Sequence, residues 1–287
     1  MKSKINQKIN NELKNKTVLI TGGAGSLGIQ LTKRILEYPV KAVRVLDISE
    51  HALFSLGKEV KDKRLRLLLG SILDKERINL AGKNVDLIIH TAAIKNIEIS
   101  EFNPIETIDT NINGTVNMIK MATETKPKKF LNISTDKAAE PSTLYGTTKL
   151  LGERLTSWAG NHIPTTSFAT VRFGNMFETK GNVFEVWKDE EKNGVPLSIT
   201  DPDMERYMWH VDEAIDFILN CIPLIKRGEV FVPKMKSYKI LDLANKIGKK
   251  HNIIGLRQGE KLEEILISNY EKKFATEQKS MWIIKQY

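Results

Sequence analysis

Residues 17–36 read TVLITGGAGSLGIQLTKRIL. Thr17–Thr21 is a short apolar run of strand character, and from Ile29 to Leu36 the apolar residues recur at helical spacing. Between the two, Gly22, Gly25 and Gly28 fall in a G-x-x-G-x-x-G spacing. Glycine permits a tight turn, a close approach of backbone to a pyrophosphate, and close packing of helix on strand. The N-terminus of the following helix adds unpaired N–H groups and the positive end of its dipole. Glycine turns without a ligand are common, but the strand–turn–helix context predicts a dinucleotide cradle built from Gly22, Gly25, Ser26, Leu27 and Gly28.

Asp47 ends the second apolar run, Ala42 to Leu46, about twenty residues beyond the last glycine, where an acid can bind the hydroxyls of an adenosine ribose. A carboxylate there repels a 2′-phosphate, so NAD is expected over NADP. The competing reading is that Asp47 caps a helix starting near Glu50.

Working outward, apolar runs alternate with helical patterns: Thr17–Thr21, Ala42–Leu46, Leu65–Leu69, Val85–His90, Lys129–Ser134 and Ser167–Arg172, with helices clearest over Pro104–Thr125 and Tyr145–Gly160. Such alternation predicts an α/β fold with a doubly wound parallel sheet. The loops at the carboxyl ends of its strands should build the site. Gly22–Gly28, Thr91–Lys95 and Thr135–Lys137 all fall at such ends. After about residue 174 the alternation fades, and residues 175–287 are expected to form a smaller substrate-binding lobe interleaved with the main domain of residues 15–174. Within it Val211–Ile225 and Ile240–Lys250 read as helices and Glu229–Pro233 as a strand.

The chain has 287 residues, 41% of them hydrophobic, ordinary for a water-soluble globular protein with a full core. No apolar run approaches the roughly 20 residues that span a bilayer, no signal peptide is visible, and the single Cys221 fits a reducing cytoplasm. The net charge is +9, and residues 1–16 carry five lysines against Glu12. The body shows no basic stripe with interleaved aromatics, so nucleic acid is not an expected partner. A basic balance suits a polyanionic substrate such as a nucleotide sugar. Ile5, Ile9 and Leu13 recur every four residues, which predicts a short amphipathic helix in the leader of residues 1–14. Three apolar residues are a small anchor, so this leader is expected to dock on protein, its own or a sister subunit's, and no membrane partner is expected.

Residues 134–149 read STDKAAEPSTLYGTTK. Tyr145 and Lys149 are four apart and share one helix face. A tyrosine beside a lysine and an oxidised nicotinamide can act as a base near neutral pH, because positive charge favours the phenolate. That pair points to hydride chemistry on an alcohol. The Asp136-Lys137 doublet supplies a second acid and base, which suggests that a group is also eliminated. Taken alone, such a doublet is more often a solvated ion pair.

These segments resemble the extended short-chain dehydrogenase/reductases, through TGGAGSLG, Asp47, HTAA at His90–Ala93, Asn111 and Y-x-x-x-K. Within them the chain is similar to the polysaccharide-biosynthesis branch that contains the UDP-N-acetylglucosamine 4,6-dehydratases. That closer likeness rests on STDKA with LYGTTK, VRFGN at Val171–Asn175, ITDPDMERYM at Ile199–Met208, GEVFVPKM at Gly228–Met235 and GLRQGEKLEE at Gly255–Glu264. The resemblance implies a Rossmann-type sheet, NAD or NADP as cofactor with Ala92 and Ala93 among its contacts, a UDP-sugar substrate, no metal, and self-association through helices flanking the sheet. It implies that Tyr145 is the base for the carbon-4 hydroxyl, that Lys149 holds the nicotinamide ribose, and that Thr135 bonds the reacting oxygen. Lys137 would remove the carbon-5 proton, and Asp136 would protonate the departing carbon-6 hydroxyl. Lys95, Asn175, Arg206, Arg257 and Glu260 would hold or order the substrate, and Asn111 would shape the site. Relatives that retain configuration at carbon 5 tend to carry methionine where Tyr145 stands, so an inverting enzyme of surface-glycan or pseudaminic-type acid synthesis is implied.

The chain departs from the branch at several points. Gly70 is followed by Ser71 where an acid is usual. The segment Lys95-Asn96-Ile97-Glu98 replaces the usual K-H-V-P, which makes Glu98 a candidate for altering the accepted sugar. Asn182 stands where a serine is usual. Inverting relatives often carry Ser-Arg, and use NADP, where Asp47 and Ile48 stand. A UDP-N-acetylhexosamine 4-epimerase, which needs no second acid and base, is the alternative reading. A non-catalytic dinucleotide-binding regulator is a more distant one.

Overall fold

The computed structural model describes residues 2–177, 179 and 181–285, with side chains from residue 7 onward. Helix α1 (Lys2–Leu13) precedes β1 (Thr17–Thr21), α2 (Ser26–Leu36), β2 (Ala42–Asp47), α3 (Glu50–Glu59), β3 (Leu65–Leu69), α4 (Lys75–Gly82) and β4 (Leu87–His90). Then come α5 (Ile97–Phe102), α6 (Pro104–Ile108), a π-helical turn (Asp109–Asn113), α7 (Gly114–Thr125) and β5 (Lys129–Thr135). A 3-10 turn (Asp136–Ala138) leads to α8 (Leu144–His162) and β6 (Ser167–Phe173). The last third holds β7 (Asn175–Met176), α9 (Val183–Lys192), β8 (Leu197–Ile199), β9 (Glu205–Trp209), α10 (Val211–Cys221), β10 (Glu229–Pro233), β11 (Ser237–Lys239) and α11 (Ile240–Ala244). It ends with β12 (His251–Ile253), α12 (Asn269–Lys272), β13 (Ala275–Glu277) and β14 (Met281–Ile284).

Among the described residues the main sheet has nine strands in the order β13-β14-β10-β6-β5-β4-β1-β2-β3. From β3 across to β10 the pairings are parallel, and β14 and β13 close the far edge antiparallel. The chain reverses direction across the sheet between β1 and β4, so the glycine turn after β1 lies at the switch point, where the ends of neighbouring connections diverge and leave a crevice. One face is covered by α1, α2, α3 and α10, packed through Ile9, Leu13, Leu31, Ile35, Leu56, Ile215 and Leu219 on Val18, Ile20 and Val45. The other is covered by α4, α7 and α8 through Ile78, Met118, Met121 and Ala159 on Leu19, Ile88, Phe130 and Phe168. The sheet is therefore doubly wound.

The lobe is small and has its own core, in which Trp187, Leu197, Ile199, Met204, Met208, Ile240 and Leu243 pack between α9, α11 and two small sheets, β11-β9-β7 and β12-β8. It is interrupted by α10 and β10, which return to the main domain. Leader side chains of α1 from residue 7 onward are placed by the protein itself: Ile9 and Leu13 are buried, and Lys129 pairs with Glu12 at 2.8 Å. Lys2, Lys4 and Ile5 lie outside the described side chains.

Candidate active site

The turn after β1 is shaped by close approach. Gly22 has φ +62, a left-handed conformation that L side chains rarely adopt, and a Cβ there would lie 2.6 Å from Ala92 Cα. A Cβ on Gly28 would lie 2.4 Å from Gly23 Cα, so only glycine lets α2 start this close to β1. Gly25 is the N-cap of α2 and offers no side-chain cap, which leaves the first-turn N–H groups of an eleven-residue helix aimed into the turn. Asp47 ends β2; its Oδ2 accepts from Ala24 N at 3.0 Å and its Oδ1 from Ser49 N at 3.0 Å. The cap of α3 is Ser49, which accepts from Ala52 N. Asp47 is thus tied to the glycine turn and only partly buried, as a ribose-binding carboxylate must be. The turn, the helix end and the carboxylate fit the phosphates and adenosine ribose of a dinucleotide.

Under the turn lies a buried histidine that the sequence reading did not single out for a role. His90 Nδ1 is 2.7 Å from Thr21 Oγ1 and Nε2 is 3.2 Å from Thr115 Oγ1. Thr115 donates its own proton to Asn111 O at 2.7 Å, so the network assigns the His90 proton to Nε2. Burial pushes the His90 pKa down to about 3, helped by the charge of nearby Lys149, so the ring is neutral. Asn111, in the π-helical turn, grips the loop after β4 from both sides: its Oδ1 accepts from Ile94 N at 2.8 Å and its Nδ2 donates to Ile94 O at 2.9 Å. The same Nδ2 reaches Thr148 Oγ1 on α8 at 3.0 Å. The π-turn turns this side chain toward both elements, and it fastens at Ile94 the loop whose Ala92 lies beside Gly22.

Helix α8 carries Tyr145 and Lys149 on one face. It is capped by Thr143, which accepts from Gly146 N at 3.1 Å. A Cβ on Gly146 would lie 2.5 Å from Lys137 O, so the glycine lets the first turn of α8 lie against the 3-10 turn after β5. That contact brings Tyr145 to Thr135, Asp136 and Lys137. Burial pushes the Tyr145 pKa up to about 12; Lys137 lowers it, Asp136 raises it and a hydrogen bond with Thr135 lowers it. The cation acting on this phenol is thus Lys137, where the sequence reading had placed Lys149. Burial lowers Lys149 to about 8 against the pull of Glu153, one turn along the helix.

Glu153 continues into a fully buried cluster. Its carboxylate accepts from Ser134 Oγ at 2.6 Å and from Arg172 Nε at 2.9 Å and Nη2 at 2.6 Å. Arg172 also donates to Glu271 at 2.6 and 2.9 Å and to Leu266 O at 3.0 Å. Two carboxylates face one guanidinium, and the ammonium of Lys149 nearby balances the remaining negative charge.

Asp136 is 1% exposed. Its Oδ1 accepts from Thr135 Oγ1 at 2.9 Å and from Lys137 Nζ at 3.1 Å, while its Oδ2 is buried without a hydrogen-bond partner. A buried polar atom left unpaired costs free energy, and such atoms gather where a ligand completes them. Gly174 keeps that oxygen open: a Cβ there would lie 3.2 Å from Oδ2. Burial works to lower the Lys137 pKa, but the carboxylates of Asp136 and of Glu264, at 3.6 Å, raise it overall. The doublet is therefore not the solvated pair its composition alone would suggest.

The lobe residues are placed differently. Asn175 opens β7, directly after Gly174. Lys95 is exposed, its pKa lowered by the protein around it and opposed by Glu185 of α9 across the junction. Arg206 is 9% exposed, and its guanidinium donates to the carbonyls of Glu205, Leu262 and Lys261 at 2.8, 3.0 and 2.8 Å. Arg257 is exposed; its Nε lies 3.2 Å from Glu98 Oε1, and its N–H donates to Glu260 Oε2 at 3.1 Å. The structure thus gathers Thr135, Asp136, Lys137, Tyr145 and Lys149, with Gly174 beside them. It sets Arg257 and Glu260 at the rim and turns Arg206 onto backbone. Among the described residues no group of three or more His, Cys, Asp or Glu side chains could hold a metal ion, and no helix is long and apolar enough to cross a membrane.

Known proteins are similar to this chain over most of its length. An uncharacterized membrane protein of Methanocaldococcus jannaschii is 40% identical over 98% of this chain and 89% of its own length. The UDP-N-acetylglucosamine 4,6-dehydratase (inverting) of Campylobacter jejuni is 38% identical over 94% of this chain and 82% of its own. UDP-glucose 4-epimerases of Rickettsia bellii also align, at 32% identity over 89% of this chain and 79% of theirs. The X-ray structure of Pen from Bacillus thuringiensis superposes with a TM-score of 0.91 at 35% identity, covering 95% of this chain and 88% of that one. The sequence profile of the polysaccharide biosynthesis protein family matches residues 18–286, from β1 to the end of the main sheet, and the chain belongs to that family.

Proposed function

We propose that the chain is a nucleotide-sugar enzyme of the dehydratase and epimerase type, and within it an NAD-dependent UDP-N-acetylglucosamine 4,6-dehydratase that inverts carbon 5. The observation that carries the reading is Asp136 Oδ2, an unpaired carboxylate oxygen buried between Gly174 and the Lys137–Tyr145 face. Likeness to the Campylobacter jejuni enzyme supports the substrate. The glycine turn and Asp47 support NAD, with NADP left open by the relatives' different residues at that position.

A nicotinamide held at the glycine turn would take hydride from carbon 4 of the sugar and return it to carbon 6. This chain's residues manage the protons. Tyr145, bonded by Thr135, takes the proton of the carbon-4 hydroxyl. Its phenol is neutral at rest, and a positive charge beside it lowers its pKa toward the working range. Lys149, buried and still an ammonium near neutral pH, holds the ribose end of the cofactor. Once carbon 4 is a ketone, the carbon-5 proton is acidic; Lys137 passes one of its own protons to Asp136, 3.1 Å away, and removes the carbon-5 proton as the free amine. Asp136 delivers a proton through Oδ2 to the carbon-6 oxygen, which leaves as water. The C5=C6 double bond so formed would take the hydride at carbon 6 and a solvent-derived proton at carbon 5, on the opposite face from the one that lost it. The product is a 4-keto-6-deoxy sugar of the kind used in surface-glycan or pseudaminic-type acid synthesis.

The epimerase reading has one observation in its favour. Lys137 rests as an ammonium between two carboxylates, and an epimerase needs no base there. Self-association belongs to the same proposal, through the exposed Ile99, Phe102, Ile105 and Leu151 on α5, α6 and α8. The deciding experiment is proton NMR of the protein with UDP-N-acetylglucosamine and catalytic NAD in deuterated water. A new carbon-6 methyl signal with deuterium at carbon 5 is expected, with ring couplings of the inverted sugar. Formation of UDP-N-acetylgalactosamine would make it an epimerase.

A further inference from the structure

Lys137 is held by two carboxylates that reach it from distant parts of the chain. Asp136 is its neighbour at the end of β5. Glu264 belongs to the lobe, is 9% exposed, and lies 3.6 Å from Lys137 Nζ through Oε1. No step described above uses it. The backbone that presents it is fastened to β9 several times over. Glu205 N donates to Leu262 O at 2.9 Å, and Glu205 forms a β-bridge with Glu263. Arg206 directs its fork at the carbonyls of Lys261 and Leu262, three and two residues before Glu264. A buried, over-determined carboxylate against an active-site lysine is a costly arrangement, and such arrangements collect where charge must be controlled.

We propose that Glu264 is a positioning residue for elimination: it aims the Lys137 amine and stabilises the ammonium that forms there as the carbon-5 proton is taken. The inference rests on the dehydratase reading. In that step the C5–H electron pair becomes the C5=C6 double bond and the C6–O bond breaks. The proton from carbon 5 ends on Lys137 Nζ, and the proton of Asp136 leaves with the oxygen as water. At rest the pair is an ammonium and a carboxylate 3.1 Å apart; passing one proton from Lys137 Nζ to Asp136 gives a neutral amine and a carboxylic acid, and the elimination returns them to an ammonium and a carboxylate. A fixed negative charge beside the developing cation favours that change without having to reorganise. The groups facing Lys137 are Asp136, Glu264, Arg206 and Tyr145; the two carboxylates favour its charge, Arg206 opposes it, and the Tyr145 phenol is neutral at rest. By engaging the backbone before Glu264, Arg206 places the favourable charge near Lys137 while bringing its own.

Glu264→Gln keeps the shape and removes the charge, and Glu264→Asp keeps the charge. The first readout needs no turnover: NMR of protein labelled with nitrogen-15 lysine, with the Lys137 signal identified by its loss in Lys137→Met. The Lys137 ammonium should give up its proton at lower pH in Glu264→Gln than in the starting protein, with Glu264→Asp restoring most of the difference. The second readout is turnover with UDP-N-acetylglucosamine and NAD. Methyl formation should slow by about tenfold or more with KM little changed, and reduced cofactor should accumulate because carbon-4 oxidation continues ahead of a slowed elimination. An unchanged Lys137 titration would overturn the inference. So would equal loss of oxidation and elimination with a lowered melting temperature, which would make Glu264 a structural residue only. Should the starting protein itself form UDP-N-acetylgalactosamine and no methyl signal, the dehydratase reading fails, and the lysine titration still decides whether Glu264 controls that charge.

Discussion

Lys137 is close enough to Tyr145 to act on the ionisation of its phenol, yet the proposed reaction separates the two in time. Tyr145→Phe should remove the first proton acceptor, so that neither reduced cofactor nor deuterium at carbon 5 appears; the loss expected is about 100- to 10,000-fold in rate. Lys137→Met should spare carbon-4 oxidation and block deuterium entry at carbon 5, read from the same NMR experiment. His90 carries a prediction about stability. Its folded pKa is about 3 against 6.5 for an ordinary histidine, so the unfolded chain binds a proton that the folded one refuses. Its contribution is fully present above about pH 6.5 and is lost as pH falls toward 3, with a slope of up to about 1.4 kcal/mol per pH unit. Urea unfolding between pH 7 and 5 should show this slope, and His90→Gln should flatten it. At this scale the gathering of Tyr145 and Lys149 on one helix face, and of Asp136-Lys137 at a strand end, was legible from spacing, because four residues on a helix and a doublet at a strand end determine neighbours. Glu264 was quoted only as the last letter of a motif. Its contact with Lys137 spans more than a hundred residues of chain, and no local period encodes it.

Among the elements, the strands of the parallel sheet were the easiest to read, since a strand buried on both faces is a bare apolar run. Thr17–Thr21 and Glu229–Pro233, buried throughout, lie where the run places them, and so does the edge strand Leu65–Leu69, although it is half-buried or exposed along its length. The helix over Pro104–Thr125 hides a π-turn at Asp109–Asn113, because one extra residue per turn leaves the apolar pattern almost unchanged. Helix α9 falls in the stretch where the alternation fades; its apolar contacts rest largely on Phe184 and Trp187, too few to mark a period. Ile240–Lys250 reads as one helix but stops at Ala244, since the chain turns there to set β12 beside β8. The element with the most at stake is the link between α8, β6 and α12 through Glu153, Arg172 and Glu271. Removing one partner strands a buried charge, so Glu271→Ala should destabilise the protein by about 3–5 kcal/mol in urea unfolding. Glu98→Ala, at an ion pair more than half exposed on both sides, should cost no more than about 1 kcal/mol.

For the whole molecule, the sequence pattern changes near residue 174, and an interleaving of the later chain with the main domain was expected there, but not the two strands that close the far edge of the sheet. Strands β13 and β14 are three and four residues long, and antiparallel pairing at an edge asks little of a sequence. The leader is part of the molecule's core: Leu13 is fully buried with Ile9 against the helix face that carries α10, so Leu13→Ala should cost about 2–5 kcal/mol in thermal or urea unfolding. The late position of Glu271 has a consequence for synthesis. While a ribosome still holds that part of the chain, Arg172 has one carboxylate in place of two, and β10 presents an open edge. A chain released short of residue 271 carries both defects together, an unsatisfied guanidinium and a strand that invites pairing with another copy, so quality-control proteases would find unfinished copies by the same feature that locks finished ones.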